Sequence, residues 1–208
     1  MTVVIFDMDG TLIDSQDDIT TSINYVRHHQ YGLPGLTQAF VVEAINRDQR
    51  NLAQVFYEKE VYEDTAREMF EVHYERQCTQ SATMYEGVLE LVQNLHKQGV
   101  KMGVATNAPT PFALQMLAHV GLAKYFEKIV GADLVASPKP DPEMIEATLK
   151  HLDFDVKTDR AFMVGDNSKD IEAGRRAGCV SVFSTWGFSP EGDGDHVIAH
   201  PDEFLKLL

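Results

Sequence analysis

The sequence predicts an α/β protein that has a parallel sheet and an all-helical insertion after the first strand. An apolar run rich in β-branched residues, Val3 to Phe6, opens the chain. Helical periodicity without convincing strand signals then fills residues 17–78. From Gly87 onward, short apolar runs alternate with helical patterns, and this alternation is typical of βαβ units with right-handed crossovers.

The individual elements follow from local patterns. A continuous apolar run such as Val3–Phe6 is typical of a strand that is covered on both faces. Within the insertion, Leu33-Pro34-Gly35 interrupts the helices, and Thr37 is expected to cap the next one. Residues 187–195, rich in Gly and Asp, predict a surface loop. The alternating region predicts a helix to Lys97, a strand at 101–105, a helix from 111, a strand near 129–130, a helix from 142, a strand at 161–164, a helix from 168 and a strand at 180–183.

Composition bounds the class of protein. The 208 residues suffice for one core with a smaller accessory domain. No apolar run reaches the roughly 18–20 residues of a membrane span, and no basic segment precedes the first strand, so we expect a cytoplasmic protein without a membrane partner. We expect this protein to be a monomer or a homodimer. A net charge of −14 disfavours nucleic acid as a partner. Cys78 and Cys179 lack paired spacing and are expected to be buried, reduced thiols.

Polar residues follow the predicted strands at points that meet on one edge of the sheet. Ligands of parallel α/β sheets bind at the carboxyl ends of the strands, so these residues are expected to converge. No single segment is decisive, because a lone Asp-x-Asp is more often a turn and an acidic helix start is often a cap. The segments are Asp7-Met8-Asp9-Gly10-Thr11, Thr106-Asn107, Lys139-Pro140 and Gly165-Asp166-Asn167-Ser168-Lys169-Asp170.

The first segment suits nucleophilic catalysis on a phosphate. Two carboxylates spaced i and i+2 can divide the work, with Asp7 attacking phosphorus and Asp9 protonating the leaving oxygen and then activating water. Gly10 allows the backbone to turn close to the phosphate, and Thr11 can contribute a hydroxyl. We therefore assign Asp7 and Asp9 to catalysis, and Gly10 and Thr11 to substrate binding.

The other segments suit charge neutralisation. Asp166 offers the hard oxygen ligand that Mg²⁺ prefers, and Asp170, one helical turn later, is expected to bind the metal directly or to support its ligands. Thr106 can donate to phosphate oxygens, with Asn107 beside it as a substrate contact, and Lys139 can neutralise charge on the transferring group. The metal ligands are thus expected among Asp7, Asp9, Asp166 and Asp170.

These motifs resemble those of the haloacid dehalogenase-like hydrolase superfamily, and among its members the phosphoglycolate phosphatase-like enzymes with a helical cap. The resemblance covers nearly the whole chain. It implies a Rossmann-like core formed by residues 1–14 and 83–208, with a helical cap at residues 15–82. It also implies Mg²⁺ held by Asp7, the Asp9 carbonyl and Asp166. The dehalogenases of the superfamily lack the second aspartate, so Asp9 favours phosphoryl transfer.

The cap region departs from that resemblance and leaves the substrate open. Phosphoglycolate phosphatase-like enzymes tend to carry Gly-x-Gly before an Arg, whereas this chain reads Ile-Asn-Arg-Asp-Gln-Arg at 45–50. Arg50 or Arg47 is expected to contact a substrate carboxylate or phosphate, although a solvated helix face explains both equally well. The expected substrate is a small phosphorylated metabolite, either phosphoglycolate-like or a sugar phosphate.

Two other functions fit the same motifs. A phosphosugar mutase that resembles β-phosphoglucomutase would share the core and the cap, but its aspartyl-phosphate would have to persist while the sugar phosphate reorients. A non-catalytic binding module would be expected to lack a nucleophile or a metal ligand, and this chain has both. The aromatic residues Trp186 and Phe188 are interpreted as packing residues at a strand end rather than as the lining of the cleft entrance, which is the alternative for both.

Overall fold

The computed structural model describes residues 1–47 and 51–208, which form two units. The larger unit consists of Met1–Asp14 and Thr83–Leu208, and the smaller of Ser15–Ala82. Among the described helices, none combines the length and the apolar character that a bilayer crossing requires.

The larger unit is built on a parallel sheet. Six strands of the described residues form this sheet, in the order β5-β4-β1-β6-β7-β8, and β2 and β3 form a separate antiparallel pair. The strands are β1 Thr2–Phe6, β2 Ile13–Asp14, β3 Thr83–Met84, β4 Lys101–Ala105, β5 Lys128–Val130, β6 Arg160–Gly165, β7 Val180–Ser184 and β8 His196–Ile198.

The central strand fixes where a site can form. The apolar side chains of β1, Val3 to Phe6, are all buried, as expected for a strand covered on both faces. Phe6 pairs with Val104 of β4 and with Val164 of β6, so the three strands end at the same level. The chain runs from β1 outward to β4 and β5 and then crosses to β6 on the other side, and such a reversal creates a crevice at the carboxyl ends.

Helices cover the sheet. α7 packs against β1, β4 and β5, α8 packs against β6 and β7, and α5 packs against β4. The predicted α/β class with a Rossmann-like parallel sheet is therefore confirmed. The helices are α1 Gln16–Tyr31, α2 Gln38–Asn46, α3 Leu52–Tyr57, α4 Asp64–Gln77, α5 Val88–Lys97, α6 Thr110–His119, α7 Glu143–His151 and α8 Ser168–Arg176.

Some elements differ from the sequence prediction. β2 and β3 have two residues each and β8 has three, and segments this short carry no detectable periodicity. The surface loop predicted at residues 187–195 is wrong at its start, because Phe188 is buried. A Cβ on Gly187 would also overlap the Gly10 carbonyl oxygen, so this part of the segment is packed against the loop after β1.

The smaller unit contains α1 to α4 in its described residues. Apolar side chains of these helices, among them Val26, Val41 and Phe56, form its core. The helix α1 ends at Gly32, which adopts the left-handed conformation with φ 63°. Thr37 caps α2 as predicted, since its hydroxyl accepts a hydrogen bond from the Phe40 N–H at 3.3 Å.

Candidate active site

The loop after β1 places Asp7 at the carboxyl end of the central strand. The Asp7 N–H donates to the Val164 carbonyl oxygen at 2.8 Å, which continues the pairing of β1 with β6 for one more residue. The chain then turns sharply, with Gly10 at φ 90° and with the Leu12 and Ile13 N–H groups both donating to the Met8 carbonyl oxygen. Asp7 is therefore held by the sheet, while the following residues wrap closely around it.

Lys139 reaches the same point from the segment before α7. Its Nζ lies 2.6 Å from Asp7 Oδ1, 2.7 Å from Asp170 Oδ1 and 2.6 Å from the Ala105 carbonyl oxygen. The side chain is 2% exposed. Three acceptors thus match the three donors of one buried ammonium group.

Asp166 and Asp170 follow β6 at the start of α8. Asn167 caps this helix, and Asp170 Oδ2 accepts a hydrogen bond from the Asn167 N–H at 3.0 Å, which completes a capping box. Carboxylate oxygens of Asp7, Asp166 and Asp170 lie within 4.8 Å of one another. Two neighbouring strand ends and one helix start therefore bring three buried carboxylates together.

The loop after β7 supports Asp166 from the other side. The Phe188 N–H donates to Asp166 Oδ2 at 2.7 Å, and the Thr11 hydroxyl lies 3.4 Å from Asp166 Oδ1. The Trp186 indole N–H donates to the Thr11 carbonyl oxygen at 3.0 Å. Trp186 and Phe188 therefore connect the two acidic loops as well as packing, a role that the sequence interpretation missed. A glycine between two aromatic residues directly after a strand was the available signal.

Burial and mutual repulsion shift the pKa values of these carboxylic acids. Burial raises the pKa of Asp7 well above its ordinary value, and the charge of Asp170 raises it further, against the opposing effect of Lys139. Burial and the charge of Asp170 raise the pKa of Asp166 from 3.8 to about 7. Burial disfavours the charged form of Lys139, but the charges of Asp170 and Asp7 outweigh it and raise its pKa.

The three carboxylates and the single ammonium group of this cluster leave an excess of negative charge in a buried place. A divalent cation would neutralise this charge, and carboxylate oxygens are the ligands that Mg²⁺ prefers. The donor set therefore fits a magnesium ion. Both oxygens of Asp170 contact protein groups, Oδ1 the Lys139 ammonium group and Oδ2 the Asn167 N–H, so this carboxylate also positions Lys139 and the start of α8.

Thr106 and Asn107 lie at the end of β4. Thr106 is fully buried, and its hydroxyl oxygen accepts a hydrogen bond from the Ala108 N–H at 3.1 Å. The Asn107 side chain forms two hydrogen bonds with the backbone of Lys139, each 3.0 Å long. The structure thus connects both residues to the same sheet edge as Asp7.

Three further residues, Asp9, Arg47 and Arg50, were predicted from the sequence as site residues. Asp9 is half-buried, and its carboxylate is not among the three grouped carboxylates of the described residues. Arg47 belongs to the smaller unit, where its guanidinium group lies 2.8 Å from Glu43 and its side chain is 47% exposed. Arg50 lies outside the described residues.

Fold and site together define an α/β protein with a buried aspartate and lysine centre at the carboxyl edge of a parallel sheet. A model of the family described as haloacid dehalogenase-like hydrolase matches residues 4–183. A phosphoglycolate phosphatase from Yersinia pseudotuberculosis is 32% identical over 99% of this chain and 92% of its own length. An N-acetylmuramic acid 6-phosphate phosphatase from Pseudomonas putida is 31% identical over 99% of this chain and 95% of its own.

A solved structure agrees with these similarities. The crystal structure described as a predicted phosphoglycolate phosphatase from Haemophilus somnus has a TM-score of 0.86 and 26% identity, and the match covers 99% of this chain and 96% of that one. The chain belongs to the haloacid dehalogenase-like hydrolase family. The resemblance predicted from its motifs is therefore confirmed.

Proposed function

We propose that this protein is a magnesium-dependent phosphatase that hydrolyses a small phosphorylated metabolite through an aspartyl-phosphate on Asp7. The enzyme class, a phosphoric monoester hydrolase, agrees with the family and with the names of the relatives. The observation that carries the finer proposal is the position of Asp7, which is buried at the end of β1 with the Lys139 ammonium group 2.6 Å from its Oδ1.

The residues divide the reaction into two steps. In the first, a carboxylate oxygen of Asp7 attacks phosphorus, the bond from phosphorus to the substrate oxygen breaks, and Asp9 gives its proton to the leaving alcohol. In the second, the Asp9 carboxylate takes a proton from water, which attacks phosphorus and releases inorganic phosphate from Asp7. No other reactant is consumed, and both aspartates return to their starting protonation states.

The other residues hold the reacting groups. Lys139 neutralises charge on Asp7 and would do so on the transferring phosphoryl group, and Thr106 and Thr11 would donate to phosphate oxygens. Asp7, Asp166 and the Asp9 carbonyl would hold Mg²⁺, with Asp170 supporting Lys139. Magnesium, when bound, screens the repulsion between the carboxylate nucleophile and the phosphate dianion.

The names of two relatives point to a chemical feature of the substrate. Phosphoglycolate and N-acetylmuramic acid 6-phosphate, the compounds in the names of two relatives, both carry a carboxylate as well as a phosphate. We propose that residues 15–82 act as a cap that selects the substrate, with Arg47 or Arg50 as the carboxylate contact. Cytoplasmic location and a monomeric or homodimeric state remain predictions.

The test is phosphate release by the purified protein from a panel of phosphorylated metabolites, with Mg²⁺ or with a chelator. The panel contains both compounds named above and matched phosphates that lack the carboxylate. We expect magnesium-dependent release that Asp7→Asn abolishes and that Asp193→Asn, a change at an exposed position, leaves intact. Turnover only in the presence of a sugar bisphosphate would favour the mutase, and no turnover of any compound would favour the binding module.

A further inference from the structure

The side chain of Asn107 forms a reciprocal pair of hydrogen bonds with the backbone of Lys139. Asn107 Nδ2 donates to the Lys139 carbonyl oxygen at 3.0 Å, and the Lys139 N–H donates to Asn107 Oδ1, also at 3.0 Å. Asn107 is the second residue after the end of β4, whereas Lys139 lies 32 residues further along the chain. One amide thus connects the end of a sheet strand to the loop that carries the buried ammonium group.

This pair of hydrogen bonds fixes the backbone of Lys139, the residue whose ammonium group contacts Asp7. A lysine side chain has four rotatable methylene groups, so its ammonium group can hold one position only if its backbone is fixed and its acceptors are in place. The acceptors are the Asp7 and Asp170 carboxylates and the Ala105 carbonyl oxygen, all within 2.7 Å. The Asn107 amide supplies the fixed backbone.

Asn107 binds Lys139 through both its amide nitrogen and its amide oxygen. Its carboxamide presents one donor and one acceptor side by side, as an extended backbone segment does, and both are directed at a single residue. The backbone N–H and carbonyl groups of Lys139 are therefore held by Asn107, just beyond β4, the strand whose last residue, Ala105, also accepts a hydrogen bond from the ammonium group.

We propose that Asn107 is a positioning residue that places the Lys139 ammonium group against Asp7, in place of the substrate contact predicted from the sequence. The inference rests on the proposed phosphatase function for its kinetic consequence, but not for its structural one. Loss of the amide would misplace the ammonium group in the transition state while leaving substrate binding intact, so kcat falls and KM stays constant.

The smaller unit provides a matched control. Asn24 makes the same reciprocal pair with Leu36, in which Nδ2 donates to the carbonyl oxygen at 3.0 Å and Oδ1 accepts from the N–H at 2.7 Å. Asn24→Ala therefore removes an equivalent pair of hydrogen bonds at a position outside the Asp7 cluster. Any effect specific to Lys139 should appear in Asn107→Ala and not in Asn24→Ala.

The first readout does not depend on activity. An amine-acetylating reagent is added to the metal-free protein, and the labelling rate of each lysine is followed by peptide mass spectrometry. The wild-type protein and Asn24→Ala should protect Lys139, whereas Asn107→Ala should label it about 10-fold faster or more. Exposed Lys101 serves as the internal reference, because its rate should be equal in all three proteins.

The second readout is kcat and KM, measured separately with the best substrate of the panel. We expect kcat of Asn107→Ala to fall about 10- to 100-fold with KM unchanged within about twofold. Asn107→Asp has nearly the same volume, keeps the hydrogen-bond acceptor and loses the donor. It replaces the alanine variant if that variant does not fold, and the same fall in kcat at unchanged KM is expected. A raised KM at constant kcat, or unchanged labelling of Lys139, would overturn the proposal. The labelling result stands even if no compound is hydrolysed, so the two proposals fail separately.

Discussion

The ammonium group of Lys139 and the carboxylate of Asp7 form a buried ion pair in which Nζ lies 2.6 Å from Oδ1. These residues are 132 positions apart in the sequence and meet because β1 and the segment before α7 approach the same edge of the sheet. The pair orients the carboxylate and brings a positive charge to the place where a phosphoryl group would accept electrons. It also makes the stability of the larger unit depend on the residues of the site.

Replacing Lys139 with Met should destabilise the protein strongly. The change keeps most of the side-chain volume but leaves the Asp7 and Asp170 carboxylates buried without their cation, and breaking a buried pair in this way typically costs about 3–5 kcal/mol. Denaturant unfolding measures the loss. Lys101→Met is the control, because Lys101 and Glu127 are 43% and 41% exposed and such pairs contribute about 0–1 kcal/mol. Similar losses in the two variants would contradict the assigned importance of the buried pair.

The stability of the metal-free protein should depend on Asp166 and on pH. Because burial and Asp170 raise the pKa of Asp166 from 3.8 to about 7 in the folded state, the folded protein binds the proton more tightly than the unfolded chain. Ionisation of Asp166 therefore destabilises the folded protein progressively as pH rises from about 4 to about 7. Asp166→Asn should remove this pH dependence and raise the melting temperature in chelator near pH 7.

Magnesium should reverse that order. The wild-type protein should gain stability with added Mg²⁺, about 2.7 kcal/mol at a concentration 100 times the dissociation constant, whereas Asp166→Asn should gain little. Thermal unfolding in chelator and in Mg²⁺ measures both effects. Equal magnesium-induced shifts in the wild-type protein and the variant would argue against Asp166 as a metal ligand.

A methyl group at Gly187 should disrupt the site. The added Cβ would overlap the Gly10 carbonyl oxygen and lie 2.7 Å from the Asp166 Cβ, so the two acidic loops would have to move apart. We expect Gly187→Ala to lower kcat at least about 10-fold. Gly35→Ala is the matched change, because its Cβ would lie 3.4 Å from Asn24, an ordinary contact. Unchanged activity in Gly187→Ala would show that the contact is not needed.

Both cysteines should resist alkylation in the folded protein. The thiols of Cys78 and Cys179 are buried, as predicted, and burial raises the pKa of the Cys179 thiol to about 12. Iodoacetamide at pH 8 should therefore modify neither residue until denaturant is added, since the thiolate is the reactive form. Mass spectrometry of the native and denatured protein compares the two states. Rapid native labelling of Cys179 would contradict its burial.

The strands and their carboxyl-end residues could be predicted from sequence because their signals are local. The run from Val3 to Phe6 and the acidic residues that follow it are adjacent in the chain, and the same holds for β6 and Asp166. Parallel pairing then determines that these ends meet. The grouping of Asp7, Asp166 and Asp170 needed only this rule and helical spacing, since Asp7 and Asp166 directly follow buried strands and Asp170 lies one helical turn beyond Asp166.

Contacts between distant loops could not be predicted in this way. The pairing of Asn107 with the Lys139 backbone depends on the exact path of the segment before α7, which no local pattern specifies. The packing of Gly187 against Gly10 likewise depends on how the loop after β7 folds back. Sequence reasoning therefore identified the charged groups and named Asn107 as a substrate contact, but it did not predict the contacts of Asn107 with Lys139 or of Gly187 with Gly10.

Chemical trapping of the phosphorylated intermediate tests whether Asp7 is the nucleophile. The protein is mixed with its best substrate and Mg²⁺, quenched in acid during turnover and digested, and the peptide that contains Asp7 is analysed by mass spectrometry. We expect this peptide to gain one phosphoryl group, hydroxylamine to remove it and leave a hydroxamate on Asp7, and Asp7→Asn to show neither. Steady phosphate release with no such adduct on Asp7, or with the adduct on another residue, would show that Asp7 is not the nucleophile.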